Sequence, residues 1–559
     1  MSSWSAPAKD FAPLSRQGWY GRLEERVGAN SGAIAAVILA AGFCWRVWLA
    51  HATFFNTDEA WHYSVANKDS LLAVYKASLT LAHPPLLVVI LYFWKHFGTS
   101  DVMLRFPGVL AGTAFCWVFY KWLTRLLGKT PALVGLIFAA LLPPMIALTA
   151  ELRQYSFLLL FAALSGYCLD STLDQNSVRM MIASSSSLYL AMLSHYSAFL
   201  FAAVLGFYAI VRIAVRRPAN GVMATWAAGQ IVGVALAGFL YKTHISKLGS
   251  VYPGDPLHRF GDFYLADWYF HPGRGSLIWF LWRSTLGVFR FTFGQTALGQ
   301  IAALFFLAGL VLLIRAKPAS DGARPSWLTP VLLATPFVLS WLAAVAGFYP
   351  YGRTRQCAFL AIFALAGVSV ALSRVAGYRP AWSATLALLV VAACHAFGTL
   401  QGRDMLPLPE QRREHMDAAL RFLHRHAQPT DVILTDKATS YQLQHYLCEQ
   451  RSAPDAPEKA GLERFRCDGF HIVSTDAAAG ALTADTVATL RWDDLLRFNV
   501  NRVWVVQGGW ASGLGETMRS QVPQFGQIEI ESFGRYLEIF QMPSVQPYVP
   551  CCAVPRPKR

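Results

Sequence analysis

Two adjacent carboxylates, Asp58 and Glu59, follow directly after the first long apolar segment of the chain. Ionisable side chains beside a membrane segment indicate a functional site, and a carboxylate near an acceptor hydroxyl can act as a general base. The alternative is a solvated helix start, because Asp and Glu are favoured in the first helical turn. The pair is therefore a candidate for proton transfer.

Cations that could hold an anion lie further along the chain. Arginine binds phosphate with two parallel hydrogen bonds and stabilises charge that develops on a leaving group. An arginine near a helix end is alternatively a snorkelling anchor. The predicted site combines acids, cations and polar side chains: Asp58, Glu59, His62, His83, Glu151, Arg153, Tyr155, His195, Tyr351, Arg353 and Arg355. Such a set suits a transferase that uses a phosphate-linked donor.

The composition predicts a polytopic membrane protein that is mainly α-helical. Of 559 residues, 55% are hydrophobic and only 14% are charged, which excludes an ordinary soluble globule. The net charge of +15 could suggest a nucleic-acid partner. However, Lys and Arg form short clusters between apolar segments, as membrane orientation signals do. Nucleic acid is therefore not expected as a partner.

About eleven apolar segments are long enough to cross a bilayer. They lie near 33–50, 104–121, 132–148, 154–170, 180–195, 197–212, 222–241, 297–315, 327–347, 356–373 and 381–399. Leu86–Trp94 is too short to cross and is interpreted as re-entrant or interfacial. If Leu86–Trp94 does not cross the membrane, the basic clusters lie on the cytoplasmic side and the polar segments lie together on the outer side.

The chain divides into three parts by composition. Residues 1–30 are expected to be a cytoplasmic tail, residues 31–400 the transmembrane domain, and residues 401–559 an extracytoplasmic α/β domain. Strands are predicted at 431–434, 470–473 and 502–506, and helices at 410–427, 441–449 and 484–498. We expect the C-terminal domain and the site on the periplasmic side of a bacterial inner membrane.

Cysteine positions agree with that placement. Cys448 and Cys467 lie in the outer domain, where an oxidising compartment permits a disulfide. Five other cysteines lie in apolar spans and are interpreted as small buried hydrophobic residues.

A metal site is left open by the sequence. His62, His258 and His271 could join Glu59 around a divalent ion, but no tight ligand spacing supports the set. No cofactor is otherwise predicted.

Several motifs resemble those of the GT-C class of integral-membrane glycosyltransferases. The similarity is to the bacterial branch related to protein O-mannosyltransferases and to the lipid A aminoarabinose transferase. It covers roughly residues 30–400 and is strongest before residue 200. The matching motifs are Asp58-Glu59, His83-Pro84-Pro85-Leu86, Arg105-Phe106-Pro107-Gly108, Glu151-Leu152-Arg153-Gln154-Tyr155 and Tyr351-Gly352-Arg353-Thr354-Arg355.

The resemblance implies inverting transfer of a sugar from a polyprenyl-phosphate carrier. It assigns Asp58 as the base, and Glu59 as a group that orients the acceptor or supports a metal or water network. Arg153, Arg353 and Arg355 would neutralise the carrier phosphate. His83 stands where some relatives have a lysine, so it would hold phosphate when protonated, or pack.

Two other functions use similar residues. A transporter or flippase of lipid-linked saccharides would also need outer arginines and a polar groove. However, its substrate must reach that groove from both sides of the membrane. A scaffold would use the outer domain to bind envelope partners. The sugar, and the lipid, glycan or protein that accepts it, are not identified by the sequence.

Overall fold

The computed structural model of the protein describes most of the membrane part and about half of the C-terminal part. The described residues are 19–79, 81–247, 265–273, 275–316, 325–398, 411–429, 431–448, 462–467, 469–475, 502–508, 529–534 and 537–541. The chain forms two compact units: Met1–His51 with Val65–Leu408, and Ala52–Ser64 with Pro409–Arg559. Each unit is described by itself.

The first unit is helical. Its helices, with α3 beginning in the segment that belongs to the second unit, are α1 Trp19–Ala29, α2 Ser31–Ala52, α3 Thr57–Ala66, α4 Leu71–Ser78, α5 Leu86–Trp94, α6 Asp101–Leu127, α7 Lys129–Leu141, α8 Pro143–Ala150, α9 Tyr155–Gln175, α10 Val178–Ser194, α11 Ala198–Arg216, α12 Asn220–Thr243, α13 Leu277–Phe293, α14 Thr296–Arg315, α15 Leu328–Val345, α16 Leu360–Val375 and α17 Pro380–Phe397.

Eight helices of the described residues are long and apolar enough to cross a membrane, namely α2, α6, α9, α11, α12, α14, α15 and α17. The pair α7 and α8, bent by 57°, adds a ninth if it counts as one span. The remaining two predicted spans correspond to α10 and α16, with 17 and 16 residues. Leu86–Trp94 is a helix of nine residues, as expected for a segment too short to cross. The prediction of a polytopic helical bundle is confirmed.

Local signals set several helix ends in the first unit. Ser100 precedes α6, and its hydroxyl accepts a hydrogen bond from Met103 N at 3.4 Å. Asn176 ends α9 in the left-handed conformation, with φ of 52°. A side chain that accepts from a free N–H, and a residue that tolerates positive φ, are the usual start and stop signals of helices.

The second unit is an α/β domain with a six-stranded sheet in its described part. The strands are β1 Val432–Asp436, β2 Leu462–Cys467, β3 Phe470–Thr475, β4 Val503–Gly508, β5 Ile530–Ser532 and β6 Leu537–Gln541, and the helices are α18 Arg413–His426 and α19 Lys437–Tyr446. The strand order is β2-β3-β1-β4-β6-β5.

The predicted strands form the centre of this sheet. β1 pairs in parallel with both β3 and β4, whereas β2, β5 and β6 add antiparallel pairings. Every residue of β1 and β4 is buried, so these strands show the continuous apolar runs of a sheet covered on both faces. The predicted helix at 484–498 lies outside the described residues. Cys448, just after α19, forms a disulfide with Cys467 of β2, and their Cα atoms are 4.6 Å apart.

One domain boundary differs from the expectation. Residues Ala52–Ser64, assigned from the sequence to the membrane domain, group with the C-terminal unit. The physical reason is burial: Phe54 is 2% exposed and packs in a core that includes Met416 and Leu423 of α18. Thr53 also forms an antiparallel bridge with Arg412.

A buried acid makes the C-terminal unit pH-sensitive. Asp436 caps α19 by accepting from Thr439 N at 2.7 Å, and burial raises its pKa from 3.8 to about 6. The folded unit therefore binds this proton more tightly than the unfolded chain. This group's contribution to stability is fully present below about pH 4 and is lost as the pH rises through about 6, by up to about 3 kcal/mol.

We expect hydrogen exchange of α19 amides in the full chain, corrected for intrinsic rates, to show less protection at pH 7 than at pH 5. Asp436→Asn keeps a capping oxygen and should remove this dependence. An unchanged pH profile in that variant would contradict the assignment.

Candidate functional site

A buried ion pair joins two loops of the first unit. Arg355 Nη1 lies 3.0 Å from Glu151 Oε2, and their side chains are 4% and 0% exposed. Arg355 begins a short 3₁₀ turn before α16, whereas Glu151 follows α8. Two buried charges need each other because either one alone would be uncompensated. The pair therefore fixes the arginine loop, residues 349–357, against the segment 151–155.

Arg153 and His83 form the second polar contact of the site. Arg153 Nη2 donates to His83 Nε2 at 3.4 Å, and its guanidinium lies 5.8 Å from the centroid of the Tyr155 ring. A histidine nitrogen that accepts from arginine is unprotonated, so His83 is neutral in this arrangement. Arg153 is 4% exposed and is held by both neighbours.

His195 extends this cluster to the corner between α10 and α11. Its ring stacks on that of His83 at 5.3 Å, and its Nδ1 lies 2.8 Å from Ser197 Oγ. Tyr349 Oη approaches the same nitrogen at 3.5 Å. His195 is 2% exposed, so its ring packs and hydrogen-bonds within this cluster.

The arginine loop is held by close backbone contacts. Tyr351 N donates to Trp268 O at 2.8 Å, and Tyr351 Oη donates to Thr285 Oγ1 at 2.9 Å. Gly352 has φ of 151°, and a Cβ there would collide with the Trp268 ring. Gly287 on α13 also allows a close approach, since a Cβ there would lie 2.9 Å from Arg353 N. The backbone around Arg353 thus packs closely against its neighbours because both positions lack a side chain.

The structure brings most of the predicted cation and substrate residues together. The contacts form two groups, the ion pair of Glu151 with Arg355 and the cluster of His83, Arg153, Tyr155 and His195. Both groups include residues of the segment 151–155, and Tyr349 of the arginine loop approaches His195. Tyr351 and Arg353 lie on the same loop as Arg355. Asp58, Glu59 and His62 belong to the other unit, and their approach to the arginines stays a prediction.

The carboxylate pair lies at the start of α3. Asn56 N donates to Glu59 Oε2 at 3.0 Å, and Glu59 N donates to Asn56 Oδ1 at 3.0 Å. This reciprocal pair is a capping box, so Glu59 has a structural role at the helix start. Asp58 is partly exposed, and its carbonyl accepts from His62 Nδ1 at 2.6 Å. The two acids therefore differ: Glu59 is 1% exposed and engaged in the cap, whereas Asp58 is the more accessible.

The described residues contain no cluster of three His, Cys, Asp or Glu side chains that could hold a metal ion. Of the proposed ligands, His271 Nε2 contacts Ala266 O at 3.1 Å. His258 lies outside the described residues. The metal question therefore stays open.

Gln154 was not singled out from the sequence as a site residue. It is 1% exposed, and neither amide atom has a hydrogen-bond partner among the described residues. Buried polar groups are normally paired, so an amide of this kind in a cluster of charged residues suits a ligand contact. The sequence feature that could have indicated Gln154 is its position between Arg153 and Tyr155.

Arg46 was also missed, although a charge within the first apolar span is itself a signal. Pro143 and Pro144 lack N–H groups, so the carbonyls of Ala139 and Ala140 lose their helical partners. Arg46 replaces them: Nη2 donates to Ala139 O and Nη1 to Ala140 O, both at 3.0 Å. Its Nε donates to Thr149 Oγ1 at 2.7 Å, two residues before Glu151. Arg46 therefore stabilises the break between α7 and α8, and so helps to position the segment that carries Glu151 and Arg153.

We expect Arg46→Met to destabilise the protein by about 3–5 kcal/mol, because several buried acceptors lose their donor together. Thermal unfolding and the yield of folded protein in detergent would measure this. Arg374→Met, at an exposed arginine in the last turn of α16, is the matched control. Equal stability of the two variants would contradict the role of Arg46.

Residues 82–241 match the family model described as dolichyl-phosphate-mannose-protein mannosyltransferase. The match covers less than a third of the chain. The resemblance predicted from the motifs is thereby confirmed for this part of the chain, which begins one residue before His83 and ends within α12. No curated protein matches the sequence significantly.

Solved structures of other proteins are similar at low sequence identity. ArnT from Cupriavidus metallidurans, apo and bound to undecaprenyl phosphate, matches with 14% identity and a TM-score of 0.48, covering 92% and 94% of this chain and 98% of ArnT. AglB oligosaccharyltransferase from Archaeoglobus fulgidus, with an inhibitory peptide and a dolichol-phosphate, matches with 11% identity and a TM-score of 0.45, covering 85% of this chain and 70% of AglB. Similarity at this level says nothing about the activity of this chain.

Proposed function

We propose that the protein is a glycosyltransferase that moves a sugar from a polyprenyl-phosphate carrier to a lipid, glycan or protein of the cell envelope. One observation carries the proposal: the segment that matches the mannosyltransferase family contributes His83, Arg153 and His195 to one group of contacts and Glu151 to the ion pair with Arg355. The family's name refers to a dolichyl-phosphate donor, and arginines buried beside aromatic rings suit a phosphate on a lipid.

The reaction is a single displacement with inversion at the anomeric carbon. Asp58 accepts the proton of the acceptor hydroxyl or amine, whose oxygen or nitrogen then bonds to that carbon. The bond from the anomeric carbon to the phosphate oxygen breaks, and polyprenyl phosphate leaves with the electron pair. Arg153, Arg353 and Arg355 stabilise the charge on this leaving group. His83, Gln154 and Tyr155 contact the bound donor.

We place the site and the C-terminal unit on the periplasmic side of a bacterial inner membrane. The support is the positive-inside distribution of basic clusters such as Lys121, Arg125 and Lys129. The transporter is the weaker candidate, because the matching family is one of transferases. A divalent metal stays optional, with no step assigned to it.

Sugar transfer in nanodiscs tests the proposal directly. The full chain would be incubated with a pool of radiolabelled polyprenyl-phosphate sugars and an envelope extract. Label moving from lipid carrier to a new covalent product is expected. Movement of intact carrier across vesicles without any new product would instead support a flippase and overturn the transferase.

Carrier binding gives a second readout. Undecaprenyl phosphate is expected to bind the wild-type protein and to bind Arg153→Gln about 10-fold to 100-fold more weakly, because a charge-assisted phosphate contact is lost. Arg374→Gln, an exposed arginine outside the cluster, should bind as the wild type does.

A further inference from the structure

The C-terminal unit holds the backbone just before Asp58. Phe55 N donates to Tyr446 Oη at 2.7 Å, and Phe55 O accepts from Gln442 Nε2 at 2.7 Å. One residue earlier, Phe54 N donates to Gln411 O at 3.0 Å. Side chains of α19 thus take up both backbone polar groups of Phe55. Buried backbone groups need such partners, so this geometry is specified by Gln442 and Tyr446.

Aromatic contacts hold the same segment on both sides of Asp58. The Phe55 ring stacks on His445 with centroids 4.5 Å apart and an interplanar angle of 14°. The Trp61 ring lies parallel to that of Tyr441, with centroids 6.1 Å apart and an angle of 4°. Tyr63 packs edge-on against His445 at 5.3 Å. One face of α19 therefore contacts residues before and after the acid.

The first turn of α3 between these contacts is closed by local hydrogen bonds. The Asn56 and Glu59 capping box closes it, and His62 Nδ1 donates to the carbonyl of Asp58. Asp58 therefore sits on a helical turn that is capped internally and anchored externally. The direction of its carboxylate depends on where α19 places that turn.

We propose that α19 is a positioning element for the catalytic base, with Tyr441, Gln442, His445 and Tyr446 as its positioning residues. The inference rests on the proposed function, in which Asp58 takes the acceptor proton. A base displaced by about 1 Å can lose about 100-fold in rate, so anchoring of this kind has a direct kinetic consequence. The C-terminal unit thus helps to position the catalytic base.

Variants of α19 separate positioning from folding. Gln442→Leu with Tyr446→Phe removes both hydrogen bonds to Phe55, and His445→Ala removes the stacked ring. We expect each to lower kcat about 10-fold to 100-fold, while KM for the donor and the affinity for undecaprenyl phosphate stay at the wild-type value. Hydrogen exchange of residues 54–63 in the full chain should become faster.

Two further variants serve as controls. His445→Phe restores an aromatic ring on Phe55 and should recover most of the activity. His426→Ala removes a histidine that stacks on Phe422 within α18, at 4.2 Å, and should leave kcat unchanged.

The outcomes distinguish this inference from the proposed function. A wild-type protein that transfers no sugar overturns the proposed function and the positioning role with it. A wild-type protein that transfers sugar, with α19 variants that keep its kcat or its exchange at residues 54–63, overturns the positioning role alone. A parallel rise in KM and loss of carrier binding would show general damage and also contradicts it.

Discussion

Arg355→Ala is expected to lower the free energy of unfolding by about 3–5 kcal/mol and to abolish sugar transfer. The Glu151 carboxylate, 0% exposed, would then lose the guanidinium that lies 3.0 Å away. Removing one member of a buried ion pair costs this much because the remaining charge loses the opposite charge and gains no solvation in exchange. Unfolding in mixed micelles and transfer in nanodiscs would measure the two effects.

A paired variant separates the structural role of Arg355 from its proposed contact with phosphate. Arg355→Met with Glu151→Leu replaces the ion pair by apolar side chains of similar volume, which often restores stability. We expect this protein to fold and remain inactive. Recovery of transfer together with stability would show that the arginine serves the fold only.

Asp58→Asn is expected to reduce transfer by about 100-fold to 10,000-fold, the usual contribution of a general base. The substitution keeps the size of the side chain and leaves the Asn56 and Glu59 cap in place. Folding and binding of undecaprenyl phosphate should therefore match the wild type. Preserved transfer in a folded Asp58→Asn protein would rule out its role as the base.

Glu59→Gln is the matched comparison. Glutamine serves in a capping box as glutamate does, so a purely structural Glu59 predicts activity within a few-fold of the wild type. A loss as large as that of Asp58→Asn would show that Glu59 takes part in the chemistry. The two isosteric changes at adjacent positions thus divide the roles of the acids.

The sequence predicted the elements better than the contacts between them. Val432–Asp436 and Val503–Gly508 were found because buried strands are continuous apolar runs, and Leu86–Trp94 was separated from the spans by its length. The site residues were found by chemical type beside apolar segments. Their pairing was not predictable, because Arg355 and Glu151 are 204 positions apart.

Two features could be recognised only in the structure, and each has a physical reason. Arg46 satisfies carbonyls that prolines in a distant helix leave open, and spacing along the chain does not reveal this. Phe54 and Phe55 directly follow an apolar span, and nothing in the local sequence pattern indicates their contacts with α18 and α19. Their partner Tyr446 lies 391 positions later in the chain.

That separation has a consequence for biosynthesis. Phe55 leaves the ribosome long before Tyr446, and at about 5–20 residues per second the interval is about 20–80 seconds. During that time the segment around Asp58 lacks α19, the helix that it contacts in the folded protein. A nascent or prematurely terminated chain therefore lacks the α19 contacts to this segment, and under the proposed positioning role we expect activity only after α19 has been made.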